Sequence, residues 1–206
     1  VADELIEKFV IASKSITVGN GLDEQTFMGP VISAAHQQRV LGYIEKGIQE
    51  GAKLILDGRN FQVEGYPNGF FVGPTIFDNV TPDMTIASEE IFGPVLCVVR
   101  AESEEQAMQL IDGHEYGNGT CIFTRDGEAA RYFADNIKVG MVGINVPLPV
   151  PVAYHSFGGW KRSLFGDLYA YGPDSVRFYT RRKTITQRWP SGGVREKAQF
   201  SFPGRQ

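Results

Sequence analysis

Apolar positions along the chain alternate between helical spacing and short continuous runs. Helical spacing predicts helices over Ala2–Lys14, from the N-cap Ser33 to about residue 50, and after the capping residues Ser103 and Asp126. Short apolar runs predict strands over residues 53–56, 75–77, 95–99, 120–124 and 141–146. The strand–helix–strand–helix–strand order of the second half predicts an α/β fold with a parallel sheet and right-handed crossovers.

Two segments depart from this pattern. Residues 146–152 read Val-Pro-Leu-Pro-Val-Pro-Val, and the alternating prolines exclude both a helix and a central strand. We predict a stiff, extended apolar loop, called the proline loop below. Residues 184–189 resemble a strand beyond the main domain. The predicted organisation is therefore a main domain over 1–180, an outlying strand segment over 181–193 and a polar tail over 194–206.

Composition excludes several classes of protein. The 206 residues are 42% hydrophobic and carry a net charge of −4, so no basic surplus points to nucleic acid. No apolar run approaches the roughly 18 residues that a membrane span needs. The chain starts at Val1 and opens directly into a helical pattern, from which we expect it to begin inside a larger protein.

The metal-binding and redox-active residue types are few and scattered. Cys97 and Cys121 lie in apolar, strand-like runs, which predicts buried thiols in a reducing compartment. The cytoplasm and the mitochondrial matrix both fit. Neither cysteine has the spacing of a metal ligand, so we predict no metal site. His36, His114 and His155 are predicted to be surface or packing residues, and only His155 lies beside the proline loop.

Residues 89–94 read Glu-Glu-Ile-Phe-Gly-Pro and precede a strand-like run. Two carboxylates next to an aromatic residue at a strand entrance suit a cofactor with a sugar and a flat ring. The alternative is a solvated acidic corner before a buried strand. This hexapeptide resembles the signature of the aldehyde dehydrogenase superfamily.

Further motifs in the same order extend that resemblance over about 150 residues. They are Met-Gly-Pro at 28–30, Gly-Phe-Phe-Val-Gly-Pro-Thr at 69–75, Tyr-Gly-Asn-Gly-Thr at 116–120, Gly-Ile-Asn at 143–145 and Ser-Phe-Gly-Gly-Trp-Lys at 156–161. The resemblance implies a Rossmann-like catalytic domain with NAD as the cofactor. It also implies that Glu90 holds the nicotinamide ribose and that Phe92 packs beside the nicotinamide.

The resemblance also assigns part of a substrate tunnel. Phe157 matches a position that lines the aldehyde tunnel, although plain core packing is an equal alternative. Pro149 and Val150, in the proline loop, are expected to form another part of that wall. Asn145 is expected to fix the loop by hydrogen bonds rather than to touch substrate.

Three details narrow the resemblance to the methylmalonate-semialdehyde dehydrogenases: Asn118 in Tyr-Gly-Asn-Gly-Thr, the proline loop, and Ser-Leu-Phe-Gly-Asp at 163–167. That group implies a CoA-dependent oxidation of methylmalonate or malonate semialdehyde to propionyl-CoA or acetyl-CoA, with loss of carbon dioxide, as in valine catabolism. Its nucleophilic cysteine lies upstream of Met-Gly-Pro. We therefore assign no catalytic residue here and expect this chain alone to be inactive.

Two other functions remain open on the sequence. One is a non-acylating aldehyde dehydrogenase, in which water replaces CoA. The other is a truncated, non-catalytic protein that serves oligomer contact or partner binding. The resemblance further implies a homo-oligomer, a dimer or a tetramer, built by a C-terminal strand at residues 183–189 that extends a sheet across subunits.

Overall fold

A computed structural model of the chain describes residues 1–187 and residue 189. Helices and short strands alternate along it, as the sequence predicts. In chain order they are α1 (Ala2–Lys14), α2 (Ala34–Gln49), β1 (Lys53–Leu56), β2 (Thr75–Asp78), α3 (Thr85–Ser88), β3 (Val95–Cys97), α4 (Glu104–Gly113), β4 (Tyr116–Gly117), β5 (Gly119–Ile122), α5 (Gly127–Asn136), β6 (Met141–Ile144), β7 (Trp160–Lys161) and α6 (Asp174–Tyr179).

The predicted helix caps are confirmed. The Ser33 hydroxyl accepts a hydrogen bond from the backbone N–H of His36, and this starts α2. The Ser103 hydroxyl accepts one from the Gln106 N–H at the start of α4. Asp126 caps α5 by accepting from two backbone N–H groups. These side chains satisfy N–H groups that the first helical turn leaves without partners, and they fix where each helix begins.

The strands form three short ladders. Strand β2 pairs in parallel with β3, and β5 pairs in parallel with β6, which confirms the parallel pairing predicted for an α/β fold. Strand β1, however, runs antiparallel to β2, and β4 runs antiparallel to β7. The single parallel sheet of the prediction is therefore a set of parallel and antiparallel pieces. No helix lies between β1 and β2, and an antiparallel pair needs no crossover helix.

The hydrophobic core is divided between two clusters. The larger one packs α2 against β2, α3 and the segment before β3, with Val40, Ile44 and Phe77 fully buried. The smaller one joins α4 to α5 and β6 through Met108, Phe133 and Ile137. The candidate site lies between the parts of the chain that these two clusters support.

An ion-pair network ties the first helix to the sheet. Arg100 makes a bidentate contact with the buried carboxylate of Asp78 in β2, at 2.9 and 2.8 Å, and also contacts Asp3 of α1 at 2.6 Å. The hydrogen bonds from Arg100 hold the pKa of Asp78 below its usual value. A buried carboxylate that lost this partner would be left uncompensated, so Arg100 stabilises the edge of the larger core.

The C-terminal predictions are only partly within the described residues. Residues 183–187 form no strand with the rest of the described chain. Residue 188 and the predicted polar tail at 194–206 lie outside the described residues. A strand added across subunits would take its hydrogen bonds from another copy, so that assignment stays a prediction. Within the described residues, none of the helices combines the length and the apolar character that crossing a bilayer requires.

Candidate functional site

A cleft of about 780 Å³ separates the turn at residues 89–94 from the loops around β4 and β7. One wall comes from the end of α3, from the turn and from Arg39 of α2. The opposite wall comes from the residues after α4 and from the start of the segment after β7. The lining residues of these two walls include Glu89, Glu90, Phe92, His114, Tyr116, Asn118 and Ser163.

The two adjacent glutamates have different surroundings. The Tyr43 hydroxyl donates a 2.6 Å hydrogen bond to the Glu89 carboxylate, and Arg39 donates to the Tyr43 hydroxyl oxygen at 3.3 Å. The Glu90 carboxylate has no hydrogen-bond donor among the described residues, whereas its backbone carbonyl accepts from Arg39 at 3.3 Å. Glu90 is therefore the carboxylate left available to a ligand in the cleft.

Phe92 presents an aromatic ring to the same cleft. The residue is 75% exposed. Its φ of 60° lies in the left-handed region, which bulky residues rarely adopt. Phe92 also lines a second groove, of about 750 Å³, together with the Met-Gly-Pro residues 28–30. The structure thus brings two of the sequence motifs to one aromatic ring.

Gly93 permits the close approach of this turn to α2. A Cβ built at Gly93 would lie 2.7 and 2.9 Å from the two methyl groups of the fully buried Val40. A similarly close approach is found at Gly158 and Gly159.

The opposite wall is supported by Lys161. Its ammonium group donates to the carbonyls of Ile111, Asp112 and His114, at 3.3, 3.0 and 3.1 Å, and so satisfies the C-terminal end of α4. The backbone of β7 pairs with β4, which places Tyr116 beside Lys161. The Ser163 hydroxyl accepts from the Gly117 N–H. Asn118 follows β4 directly and lines the cleft, and its side chain makes no hydrogen bond with the described residues.

The residues predicted for the substrate tunnel lie apart from this cleft. Pro149 is half-buried over β5 and β6, with its ring 3.0 Å from the position that a Cβ on Gly119 would take. Val150 is exposed. Phe157 is half-buried and stacks on Tyr171, with ring centroids 4.9 Å apart and planes 8° from parallel. This stacking fits the packing alternative for one face of the Phe157 ring.

Asn145 fixes the strand end beside the proline loop. Its side chain accepts from the Thr124 N–H at 2.9 Å and donates to the Thr124 carbonyl at 3.0 Å. Its φ of 55° turns the chain out of β6. Both observations fix Asn145 where the proline loop begins, and its expected lack of contact with substrate stays a prediction.

The cysteines do not face the cleft. Both are free and half-buried, and burial raises the pKa of the Cys97 thiol to about 11. A nucleophilic cysteine needs a lowered pKa, so Cys97 is chemically unsuited to that role. Among residues 1–187 and 189, no three His, Cys, Asp or Glu side chains are grouped closely enough to hold a metal ion.

Several residues around the cleft were not predicted from the sequence to contribute to it. Arg39 lines the cleft, whereas His36 and Tyr43 only contact its turn; all three lie on α2, far along the chain from that turn. Their polarity fits an exposed helix face equally well, so no sequence pattern distinguished them. Asn118 did carry a sequence signal, because it stands in Tyr-Gly-Asn-Gly-Thr at a position where Leu is commoner in the aldehyde dehydrogenase superfamily.

Comparison with known proteins places this chain in a family. The model of the aldehyde dehydrogenase family matches residues 1–185. A malonate-semialdehyde dehydrogenase from Pseudomonas aeruginosa is 67% identical over 203 residues, which are 98% of this chain and 41% of that protein.

Two solved structures are similar in fold as well as in sequence. The crystal structure of a methylmalonate-semialdehyde dehydrogenase from Oceanimonas doudoroffii has a TM-score of 0.88 and 66% identity, over 94% of this chain and 40% of that one. A Sinorhizobium meliloti 1021 protein complexed with NAD has a TM-score of 0.89 and 57% identity, over 93% of this chain and 39% of that one.

The chain thus spans about two fifths of the length of these relatives. The predicted family and the predicted α/β fold are both confirmed: the chain belongs to the aldehyde dehydrogenase family.

Proposed function

We propose that this chain forms the C-terminal part of an NAD-dependent, CoA-acylating methylmalonate- or malonate-semialdehyde dehydrogenase. The observation that carries the proposal is the unpaired Glu90 carboxylate beside the exposed Phe92 ring in a cleft of about 780 Å³. The 67% identity to a protein called malonate-semialdehyde dehydrogenase supports the choice of substrate class.

The residues of the cleft fit the nicotinamide-ribose half of NAD. An ionised carboxylate accepts hydrogen bonds from both hydroxyls of a ribose, and charge assistance makes such bonds stronger than neutral ones. A flat ring packs favourably against an exposed aromatic side chain. Glu90 and Phe92 are neighbours on one turn, as a ribose and its attached base require. NAD would supply the hydride acceptor for oxidation of the aldehyde carbon.

The chemical step needs a thiolate that this chain does not supply in the cleft. Aldehyde oxidation through a thioester uses a cysteine nucleophile. The raised pKa of Cys97 argues against that residue, and Cys121 does not line the cleft. We propose that the nucleophile lies upstream, in the part of the protein that corresponds to the remaining length of the relatives. The isolated chain is then inactive.

The substrate side of the site rests on the proline loop. We propose that Pro149 and Val150, with the half-buried Phe157, form one wall of the aldehyde tunnel. The rings of the three prolines restrict φ, so this wall is held in shape before substrate arrives. Methylmalonate or malonate semialdehyde would be the aldehyde and CoA the acyl acceptor, with propionyl-CoA or acetyl-CoA and carbon dioxide as products.

We also propose that the longer protein is a homo-oligomer, a dimer or a tetramer, and that residues 183–189 supply a strand to a neighbouring subunit. The backbone of residues 183–187 is exposed and unpaired within the described chain, as strand addition requires. Bacterial relatives and half-buried free thiols support a reducing compartment such as the cytoplasm.

The test is NAD reduction by the longer protein with malonate semialdehyde and with methylmalonate semialdehyde. We expect turnover that forms acetyl-CoA or propionyl-CoA when CoA is present. Formation of a free acid without CoA would instead favour the non-acylating alternative. Absence of turnover with both semialdehydes would contradict the substrate assignment.

The same assay on the 206-residue chain tests the assignment of the nucleophile. We expect no NAD reduction by the chain alone. Turnover by this chain would place the nucleophile within it and would require Cys97 and Cys121 to be reconsidered.

A further inference from the structure

The turn at residues 89–94 holds Phe92 in an unfavourable backbone conformation. A bulky residue in the left-handed region is disfavoured and persists only where surrounding contacts impose it. The Phe92 ring contributes little to such contacts, because three quarters of its surface is exposed. The forces that hold the Phe92 backbone must therefore act on atoms other than its ring.

His36 supplies one of these forces. Its Nε2 lies 2.8 Å from the Phe92 carbonyl oxygen, and because a carbonyl can only accept, Nε2 must carry the proton. The two rings also meet edge to face, with centroids 6.3 Å apart. His36 is itself fixed, since its backbone N–H donates to the capping Ser33 hydroxyl in the first turn of α2.

The next turn of α2 adds two further contacts to the same backbone. Arg39 donates to the Glu90 carbonyl at 3.3 Å. Val40 packs so closely on Gly93 that no side chain fits there. One face of α2 thus contacts the turn at residues 90, 92 and 93. These contacts use backbone atoms and leave the Glu90 carboxylate and the Phe92 ring directed to the cleft.

We propose that His36 is a positioning residue for cofactor binding: its hydrogen bond to the Phe92 carbonyl holds the Phe92 ring where it packs on the nicotinamide. This role rests on the proposed function, because it presupposes that the cleft binds NAD. Without the His36 donor, the backbone at Phe92 relaxes toward a favourable φ and the ring leaves its place.

The test measures NAD affinity of the longer protein by calorimetry, with three single variants. His36→Leu removes the donor and is expected to raise the NAD dissociation constant about tenfold, the size of one net hydrogen bond. His36→Gln keeps an N–H donor and is expected to restore most of the affinity. Gln38→Leu is the matched control, since Gln38 is exposed on the same helix, and is expected to bind NAD as the wild type does.

A double-mutant cycle with Phe92→Ala separates positioning from direct contact. If His36 acts through the Phe92 ring, His36→Leu has no further effect once that ring is removed. Equal losses of affinity in both backgrounds would overturn the proposal, and so would a His36→Leu variant that binds NAD as the wild type does. Thermal unfolding confirms that each variant is folded, and His36→Ser replaces His36→Leu if the latter is not.

The wild-type measurement distinguishes a failure of the proposed function from a failure of the role proposed for His36. A wild-type protein that does not bind NAD contradicts the proposed function itself. A wild-type protein that binds NAD, with variants that fail the cycle, contradicts only the role of His36.

Discussion

The turn at residues 89–94 and the proline loop at residues 146–152 are both predicted walls of one active site, yet they are held in shape in different ways. In the turn, Ile91 is 7% exposed within the larger core and Gly93 is packed against Val40. In the proline loop, Leu148 and Val150 are 74% and 55% exposed.

The turn therefore owes its conformation to packing and hydrogen bonds from α2, whereas the loop owes its stiffness to the covalent restriction of φ by proline. Packing can hold even a strained conformation, such as that of Phe92, because many contacts act on it together. Ring closure restricts φ without burying any surface. Substitutions should consequently have large effects in the turn and small effects in the loop.

The largest difference is expected between Ile91→Ala and Leu148→Ala. Removing a buried aliphatic side chain costs about 2–5 kcal/mol through lost burial and the cavity left behind, whereas an exposed substitution stays within about 0.5 kcal/mol. Urea unfolding of the 206-residue chain measures both free energies of unfolding. Equal losses for the two variants would contradict the contrast between a packed turn and an exposed loop.

Strand β3, which follows the turn, should make the Cys97 thiol unreactive toward alkylating reagents. Burial raises the pKa of Cys97 from 9.0 to about 11, so its thiolate fraction at pH 8 falls about a hundredfold below that of an ordinary thiol. We expect iodoacetamide to alkylate Cys97 slowly at pH 8, and the rate to rise tenfold per pH unit up to about pH 11. Mass spectrometry of the Cys97 peptide follows the reaction. The Cys97→Ser variant is the control, because any alkylation that it shows occurs at Cys121. Rapid alkylation at pH 7 would reopen Cys97 as a nucleophile.

A smaller effect is expected where the turn meets α2. Gly93→Ala places a methyl group against Val40 and should lower the free energy of unfolding by about 1–3 kcal/mol. Gly42→Ala is the matched control, because a Cβ at Gly42 on the exposed face of α2 meets nothing within 4 Å. That variant should stabilise the chain by about 0.4–1 kcal/mol. If Gly93→Ala leaves the free energy of unfolding unchanged, the contact between the turn and α2 is not tightly packed.

Local signals in the sequence were sufficient for the four longer helices, α1, α2, α4 and α5, and for five of the strands, β1, β2, β3, β5 and β6. Ser33 marks the start of α2 because its hydroxyl accepts a hydrogen bond from a free backbone N–H. Gly51, with a φ of 96°, ends the helical region because glycine adopts that conformation without strain. The parallel pair β5–β6 follows from the strand–helix–strand order of that part of the chain. The parallel pair β2–β3 and the antiparallel placement of β1 do not, because no residue pattern in so short a strand specifies its partner.

The site was predictable only in part. Glu90 and Phe92 could be identified because they stand two residues apart in one distinctive hexapeptide, Glu-Glu-Ile-Phe-Gly-Pro at 89–94. Strands β4 and β7 contain two residues each, too few for a periodic pattern. The contact between His36 and Phe92 joins positions 56 residues apart, and the positive φ of Phe92 is imposed by that packing rather than favoured by phenylalanine. Such features depend on tertiary contacts.

The central claim is that Glu90, and not its neighbour Glu89, binds the nicotinamide ribose of NAD. The most direct test compares NAD affinity of Glu90→Gln and Glu89→Gln in the longer protein. We expect Glu90→Gln to raise the dissociation constant about tenfold, because the amide oxygen accepts hydrogen bonds without the assistance of a charge. Glu89→Gln should leave NAD affinity unchanged, since the Glu89 carboxylate is already bound by Tyr43. Equal effects of the two substitutions, or a larger effect of Glu89→Gln, would contradict the assignment of the cleft.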